Sequence, residues 1–364
     1  MNWLLRKQAL PVQPAAAGQP DRPPLRGDSN HDGRALQPLA QGLADRIEET
    51  PGGEEACSGS VARHGQHVIA VGSGKGGVGK TLVSSSLALT LSRNSTQPVV
   101  AIDVDLGGAN LHTGLGMKRP SFALNRFIMD RVPLQELSTS TGFDGLRFVS
   151  GASDIIGLAE FSDADRTRFL DELGNFREEI VVLDLGAGSS LFNLDLFCTA
   201  DQGILVTTTE PTAIQNAYGF LRAAVYRRLR LLFRAEKALI DMIGDASNHR
   251  GGDDTDSVPR LIERVSACNR FAASRLEEIV RQLRIGVVVN MAKAREAGAA
   301  AERLAKTARR YLGVRLDFLG SVDFDASVRR SVCEWRPLVV HFPTARAARR
   351  LASVATKVGN RLET

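Results

Sequence analysis

From residue 67 onward, short runs of consecutive apolar residues alternate with longer stretches whose apolar positions recur every three or four residues. The runs VIAVGS (68–73), VVAID (99–103), LRFVSG (146–151), IVVLDLG (180–186), GILVTTT (203–209), IGVVVNM (285–291) and LDFLGSV (316–322) predict strands. Runs without polar alternation suit strands covered on both faces, and the helical stretches between them suit right-handed crossovers. The pattern predicts a doubly wound, mostly parallel α/β sheet, with ligands bound beyond the carboxyl ends of its strands.

Two stretches break this rhythm. Residues 1–66 are expected to form a disordered leader, because residues 11–66 are rich in Pro, Gly, Asp, Arg and Gln. Within it, ALQPLAQGLADRIEE (35–49) sets Leu36, Leu39, Leu43 and Ile47 at near-helical spacing, and MNWLLRKQAL carries Trp3, Leu4, Leu5 and Leu10. Each offers a short docking helix, against the commoner case in which apolar residues scattered through a tail do nothing.

The second break lies inside the domain expected over residues 67–364. About seventy-five residues separate Thr209 from Ile285, far more than one crossover needs. They predict a helical insertion over about 211–284: a helix from Ala213 to about Asp241, a polar loop GDASNHRGGDDTDS (244–257), and a helix from about Pro259 to Arg284. Arg222, Arg227, Arg228, Arg230 and Arg234 are interleaved with Leu229, Leu231, Leu232 and Phe233. They form either a docking or anionic-surface face or, preferably, the wet side of a long helix with snorkelling arginines. Asp253, Asp254 and Asp256 lack the glutamate and spacing of an EF-hand, so a solvated loop is expected there.

Composition narrows the class. With 43% apolar residues the chain can bury the core of one large domain, and a net charge of +5 permits attraction to nucleic acid or anionic lipid without requiring it. Cys57, Cys198, Cys268 and Cys333 form no C-x-x-C pair, which argues against a zinc site or a disulfide framework and fits a reducing compartment. No apolar run reaches the roughly 18–20 residues of a membrane span. The start, MNWLLRKQALPVQP, lacks the apolar core of a secretory signal, so a cytoplasmic location is expected.

The chemistry concentrates in GSGKGGVGKT (72–81). A predicted strand directly before G-x-x-x-x-G-K-T and a predicted helix directly after it make a phosphate-binding loop. Gly74, Gly76, Gly77 and Gly79 let the backbone turn tightly and aim N–H groups at phosphate oxygens, with the helix N-terminus behind them. Lys80 is expected to neutralise β- and γ-phosphate charge and the Thr81 hydroxyl to ligate Mg²⁺. In AIDVDLGGAN, period-two alternation sends Asp103 and Asp105 to the same side, one to orient water and the other to support the magnesium shell. In VVLDLGAGSS, Asp184 ends another strand where an acid can hold a magnesium-bound water, and Gly186 places an N–H near the γ-phosphate. Aspartate at a strand end is often only a helix cap, so these acids gain weight from the loop beside them.

GKGGVGKT with its additional lysine, DVDLGGANLHTGLG, LDLGAGSS, TTTEPTAIQNAYGFL and VVVNMA, in this order, resemble the MinD/ParA group of P-loop ATPases. Within it they look most like the FlhG (FleN) branch, which acts in flagellar placement and number. The resemblance covers roughly residues 67–350. It implies that the run from Gly74 to Thr81, Val78 included, lines an ATP site at the interface of two subunits. It further implies that Lys75 crosses to the partner's phosphates, Asp105 positions water, Asp184 is the magnesium-side acid, Asn290 contacts adenine and Glu210 meets the partner's ribose. Asn110 falls in the segment matching switch I.

Three features depart from that pattern. The adenine loop G-x-I-P-x-D appears as GSVDFD (320–325), with Asp323 in place of proline and Asp325 matching. The leader holds no clean counterpart of the DQA-x-x-L-R activator motif, which puts stimulation of a flagellar GTPase in doubt. The insertion is longer than a minimal member needs. The segment FPTARAARRLASVATKVGNRLET places Leu351, Val354, Ala355, Val358 and Leu362 on one face, either a peripheral membrane contact or the last core helix. Together these residues imply an ATP-dependent homodimer that docks a regulatory protein partner, with a DNA-binding partition ATPase as the alternative. An iron-sulfur carrier ranks last for want of paired cysteines, and VVVNMAKA lacks the N-K-x-D that reads guanine.

Overall fold

The computed structural model describes residues 66–105, 108–118, 124–151, 161–234, 236–248 and 257–362. The leader and its two docking segments lie outside the described residues. Eight strands form one sheet: β1 (His67–Ser73), β2 (Val99–Asp103), β3 (Thr139–Ser140), β4 (Leu146–Val149), β5 (Ile180–Ala187), β6 (Gln202–Thr207), β7 (Ile285–Asn290) and β8 (Leu316–Val322). Their order is β3-β4-β2-β5-β1-β6-β7-β8. Every pairing is parallel except that of the two-residue edge strand β3, which runs antiparallel to β4. All seven predicted strands are present, and β3 is the addition.

Strand alternation divides two cores. Val68, Ala70, Val100, Ile102, Val181 and Leu183 point to one face of the sheet, while Ile69, Val71, Val99, Ala101 and Val182 point to the other. Both sets are fully buried, which is why the sequence shows continuous apolar runs.

The helices in chain order are α1 (Lys80–Asn94), α2 (Leu111–Gly114), α3 (Leu124–Met129), α4 (Asp163–Leu173), α5 (Leu191–Thr199), α6 (Pro211–Leu232), α7 (Lys237–Asn248), α8 (Val258–Cys268), α9 (Arg270–Arg281), α10 (Ala294–Leu312), α11 (Ala326–Cys333), α12 (Leu338–His341) and α13 (Arg346–Leu362). The second core is covered by α1, α2, α12 and α13, and the first by α3 to α10.

The insertion differs from its prediction: four helices occupy it, where two were expected. The first predicted helix ends at Leu232, where Phe233 leaves the helix and buries its ring, and α7 follows with Leu239, Ile243 and Ala246 facing the core. Asn269 breaks the second: it is extended, and its side chain accepts from Ala272 N as the N-cap of α9. The predicted loop 244–257 is helical up to Asn248, and residues 249–256 lie outside the described residues.

The arginines of α6 neither snorkel nor form a free basic face. Arg227 grips Asp195 of α5 at 2.5 and 3.0 Å. Arg222 donates to the carbonyls of Ala246 and Ser247, Arg230 to the Ser247 hydroxyl, and Arg228 to the Cys198 carbonyl. They tie α6 to α5 and α7.

The C-terminal helix is a core element. Leu351, Val354, Ala355 and Val358 are buried against the sheet, so the apolar face offered for membrane contact is already covered. Lys357 Nζ donates to the Leu319 carbonyl at 2.7 Å and Arg361 meets Asp317 at 3.2 Å, which blunts the exposed edge strand β8. Among the described residues no helix is long and apolar enough to cross a membrane.

Candidate nucleotide site

The parallel topology brings the ends of β1, β2, β5 and β7 to one rim. There the loop from Ser73 to Gly79 turns from β1 into α1 through two left-handed glycines, Gly77 at φ 78° and Gly79 at φ 92°. Gly74 approaches α6 so closely that an ideal Cβ would lie 1.8 Å from the Asn216 carbonyl oxygen. Gly76 meets no such constraint, its nearest neighbour being the Ala187 methyl at 3.8 Å. Gly79 is the N-cap of α1 and supplies no side-chain cap, so the first N–H groups of the helix stay available to an anion.

The loop's two lysines sit in different surroundings. Lys80 is buried at 8% exposure beside Asp184. Lys75 stands outside the cradle, its side chain 43% exposed, and pairs with Glu210 at 3.2 Å. Glu210 is 64% exposed at the start of α6, so both partners face solvent within one subunit.

Asp184 has the surroundings of a magnesium-side acid. It is 2% exposed, accepts from Ser84 Oγ at 2.8 Å and from the Thr81 hydroxyl, and feels the Lys80 charge. Burial nonetheless pushes its carboxyl up to about 6, against those three favourable contacts. Asp103 lies opposite it in the β2–β5 register, and burial followed by the Asp184 charge holds its carboxyl well above the usual range.

Asp103 and Asp105 differ in burial and in hydrogen-bond partners. Asp103 is fully buried and accepts from the N–H groups of Asp105 at 3.2 Å and Leu111 at 2.9 Å. Both of its oxygens anchor the turn into α2. Asp105 is half-buried, within reach of Gly186 and Gly108: their ideal Cβ positions fall 3.6 Å from its Cγ and Oδ2 respectively. Asn110, exposed at the start of α2, donates to the Gly108 carbonyl at 2.8 Å.

Two residues assigned to adenine have structural duties. Asn290, 2% exposed, donates to the Val78 carbonyl at 2.8 Å and lies under the loop, where its amide would be 2.1 Å from a Cβ on Gly79. Asp325 accepts from Ser327 N at 2.9 Å and Ala347 N at 3.1 Å, bonds that hold its carboxyl below the ordinary value. It thereby fastens α11 to the start of α13. Asn193, absent from the expected set, donates to the carbonyls of Gly186 and Gly188 and fixes the loop leaving β5. Its signal in the sequence was only its place three residues beyond Ser190, the cap of α5.

The residues fit Mg²⁺ with a nucleoside triphosphate. An uncapped helix N-terminus and left-handed glycines would hold the phosphates, Lys80 would counter their charge, and Thr81 with Asp184 would hold the ion directly or through its water.

Residues 69–338 match the CobQ/CobB/MinD/ParA nucleotide binding domain. Antiactivator FleN of Pseudomonas aeruginosa is 28% identical over 81% of this chain and 87% of its own length. Flagellum site-determining protein YlxH of Helicobacter pylori is 33% identical over 42% of this chain, and the match takes in 52% of YlxH. The septum site-determining protein MinD of Pyrococcus horikoshii, solved with Mg-ADP, shares the fold with a TM-score of 0.51 at 19% identity, over 80% of this chain and 96% of that one. The phosphate loop, the buried acid beside it and the domain match converge: the chain belongs to the CobQ/CobB/MinD/ParA nucleotide-binding family and is a P-loop ATPase of its MinD/ParA group, using ATP with Mg²⁺.

Proposed function

We propose that the protein is a switch that dimerises on ATP, separates after hydrolysis, and sets the position or number of a cellular structure, the flagellar apparatus foremost. The observation that carries this reading is the contrast between the lysines. Lys80 is enclosed in its own cradle, whereas Lys75 projects from the same loop toward solvent, held only by an exposed glutamate. An exposed ion pair of this kind contributes about 0–1 kcal/mol and is easily exchanged for a phosphate of a second subunit. Asp105 beside Gly186 would position the attacking water, and the segment around Asn110 would report nucleotide state to a regulatory protein partner. The likeness to FleN over most of both chains supports the flagellar assignment, and a cytoplasmic site of action follows from that reading.

The test is a set of three variants followed by ATP-dependent sedimentation and phosphate release. Asp105→Ala is expected to bind ATP and accumulate as a dimer, Lys75→Ala to bind ATP as a monomer without hydrolysis, and Lys80→Ala to bind none. Normal hydrolysis by Asp105→Ala, or ATP-dependent dimers of Lys75→Ala, would overturn the respective assignment. ATP-promoted DNA binding that falls steeply with salt would instead favour a partition ATPase.

A further inference from the structure

The surface built by α11, α12 and the start of α13 borders the site above without supplying its phosphate-loop residues. Residues 326–350 carry Arg329, Arg330, Arg336, Arg346, Arg349 and Arg350 against a single acid, Glu334. Arg330 and Arg336 share Glu334, at 2.7 and 3.6 Å, and flank the Phe342 ring. Arg346, Arg349 and Arg350 line a polar cavity of about 420 Å³, where only Asp323 offers negative charge, 3.6 Å from Arg350. The surface therefore holds more guanidinium than its own carboxylates balance.

An apolar cavity of about 220 Å³ opens beside it, walled by Leu82, Gly114, Val332 and Leu338 with Arg336 at its edge. Val332 is 47% and Trp335 40% exposed. Trp335 is held in place by a left-handed backbone, φ 54°, and by its ring contact with His112 of α2 at 5.9 Å. The occupant that fits such a surface combines aliphatic side chains with several carboxylates.

This chain contains such a segment. Residues 35–55 hold Leu36, Leu39, Leu43 and Ile47, followed by Asp45, Glu48, Glu49, Glu54 and Glu55 against one Arg46. We propose that this acidic, leucine-bearing segment docks on the α11–α13 surface of its own subunit, with leucine side chains in the apolar cavity and carboxylates on the arginines. The tether reaches: Gln66 enters β1 at the end of the sheet remote from the phosphate loop, and the seven residues of β1 span roughly 23 Å. The stretch from Glu55 to Gln66 extends to roughly 36–40 Å. A link this short gives an effective concentration on the order of millimolar, so a segment with an intrinsic Kd of about 100 μM is docked roughly ten times as often as it is free. Because Thr81 and Asn110 border the apolar cavity, a docked segment lies against the magnesium-side wall of the nucleotide site.

Hydrogen exchange of the full chain without nucleotide tests the proposal, and does so independently of any ATPase reading. Peptides covering residues 326–342 are compared between the parent chain and two variants, Glu48→Lys/Glu49→Lys/Glu54→Lys/Glu55→Lys and Leu39→Asp/Leu43→Asp, at low salt. Exchange is expected to quicken on the order of tenfold in both, in line with the docked-to-free ratio. Adding Arg330→Glu/Arg349→Glu/Arg350→Glu to the charge-reversed leader is expected to restore slow exchange, and unchanged exchange in peptides covering β5 and β6 verifies each fold. Identical exchange in parent and variants overturns the proposal. Protection that grows with protein concentration also overturns it, by assigning the surface to a second copy.

Discussion

Replacing Gly79 by alanine isolates a constraint at the entrance to α1. Gly79 sits at φ 92°, a conformation that costs an L-residue roughly 1–2 kcal/mol. The new methyl would also lie 2.1 Å from the Asn290 amide nitrogen, which is buried and donates to the Val78 carbonyl. The amide must move, and a buried donor and acceptor left unpaired add about 1–3 kcal/mol. Gly79→Ala is thus expected to lose about 2–5 kcal/mol, a large part of the roughly 5–15 kcal/mol that holds a domain folded. Gly77→Ala is the control: its φ is 78°, but no atom lies within 4 Å of the added methyl, so only the backbone strain remains. Urea denaturation of both proteins gives the difference directly, with the Gly79 variant expected to unfold at lower urea. In an Asn290→Ala background the collision disappears, and the two glycine substitutions should then cost the same. Equal losses for Gly77→Ala and Gly79→Ala in the parent background would refute the packing argument and leave only backbone strain.

Three further expectations rest on other parts of the molecule. Arg227→Ala takes the bidentate partner from Asp195, buried at 4% exposure, and leaves it Arg166 at 3.9 Å, so a cost of about 1–3 kcal/mol is expected in urea denaturation, with α6 exchanging faster. Burial pushes the Cys198 thiol up to about 12, so at pH 8 iodoacetamide is expected to label exposed Cys333 and spare Cys198 until the chain unfolds. The Asp184 carboxyl is raised from 3.8 to about 6 in the ligand-free fold, so between those values the folded chain binds more protons than the unfolded one. Stability without nucleotide is therefore expected to fall as pH rises through about 4 to 6, and Asp184→Asn should flatten that part of the profile. An unchanged slope in that variant would place the titration on another group.

The phosphate loop and the seven longer strands were legible because their signals are local. A left-handed turn needs glycine, and a strand buried on both faces needs a continuous apolar run. The two-residue β3 is too short to carry a period. The breaks at Phe233 and Asn269 depend on what those residues pack against or cap after the insertion folds back on the sheet. The same applies to polar side chains whose role is set by distant partners. Arg222, Arg227, Arg228 and Arg230 read as a surface stripe until α5 and α7 meet them with backbone carbonyls, the Asp195 carboxylate and the Ser247 hydroxyl. Period-two alternation brings Asp103 to the rim, but it does not show that Leu111 N comes back to it. Asn290 and Asp325 follow the family pattern in type, while their hydrogen bonds show each holding backbone.

The destabilising features gather where β1, β2 and β5 end. Two facing carboxyls, Asp103 and Asp184, are buried with raised proton affinity, two glycines turn left-handed, and α1 begins without a side-chain cap. The buried Asp184 carboxyl and the uncapped helix N-terminus cost free energy in the ligand-free fold, and the same ligand relieves both: phosphate oxygens accept the free N–H groups, and a divalent cation favours the ionised form of Asp184. ATP with Mg²⁺ at a hundred times its Kd would add about 2.7 kcal/mol to folding stability. Lys75 is the exception on this rim, since its exposed pair with Glu210 costs little to keep and little to break. On the function proposed above, the enclosed residues would link nucleotide to the stability of one subunit, whereas the exposed lysine would link it to assembly. Lys75→Ala should then keep the thermal shift that nucleotide binding gives a single subunit, independent of protein concentration, while showing no dimer, and complete loss of the shift would place Lys75 inside its own subunit's cradle.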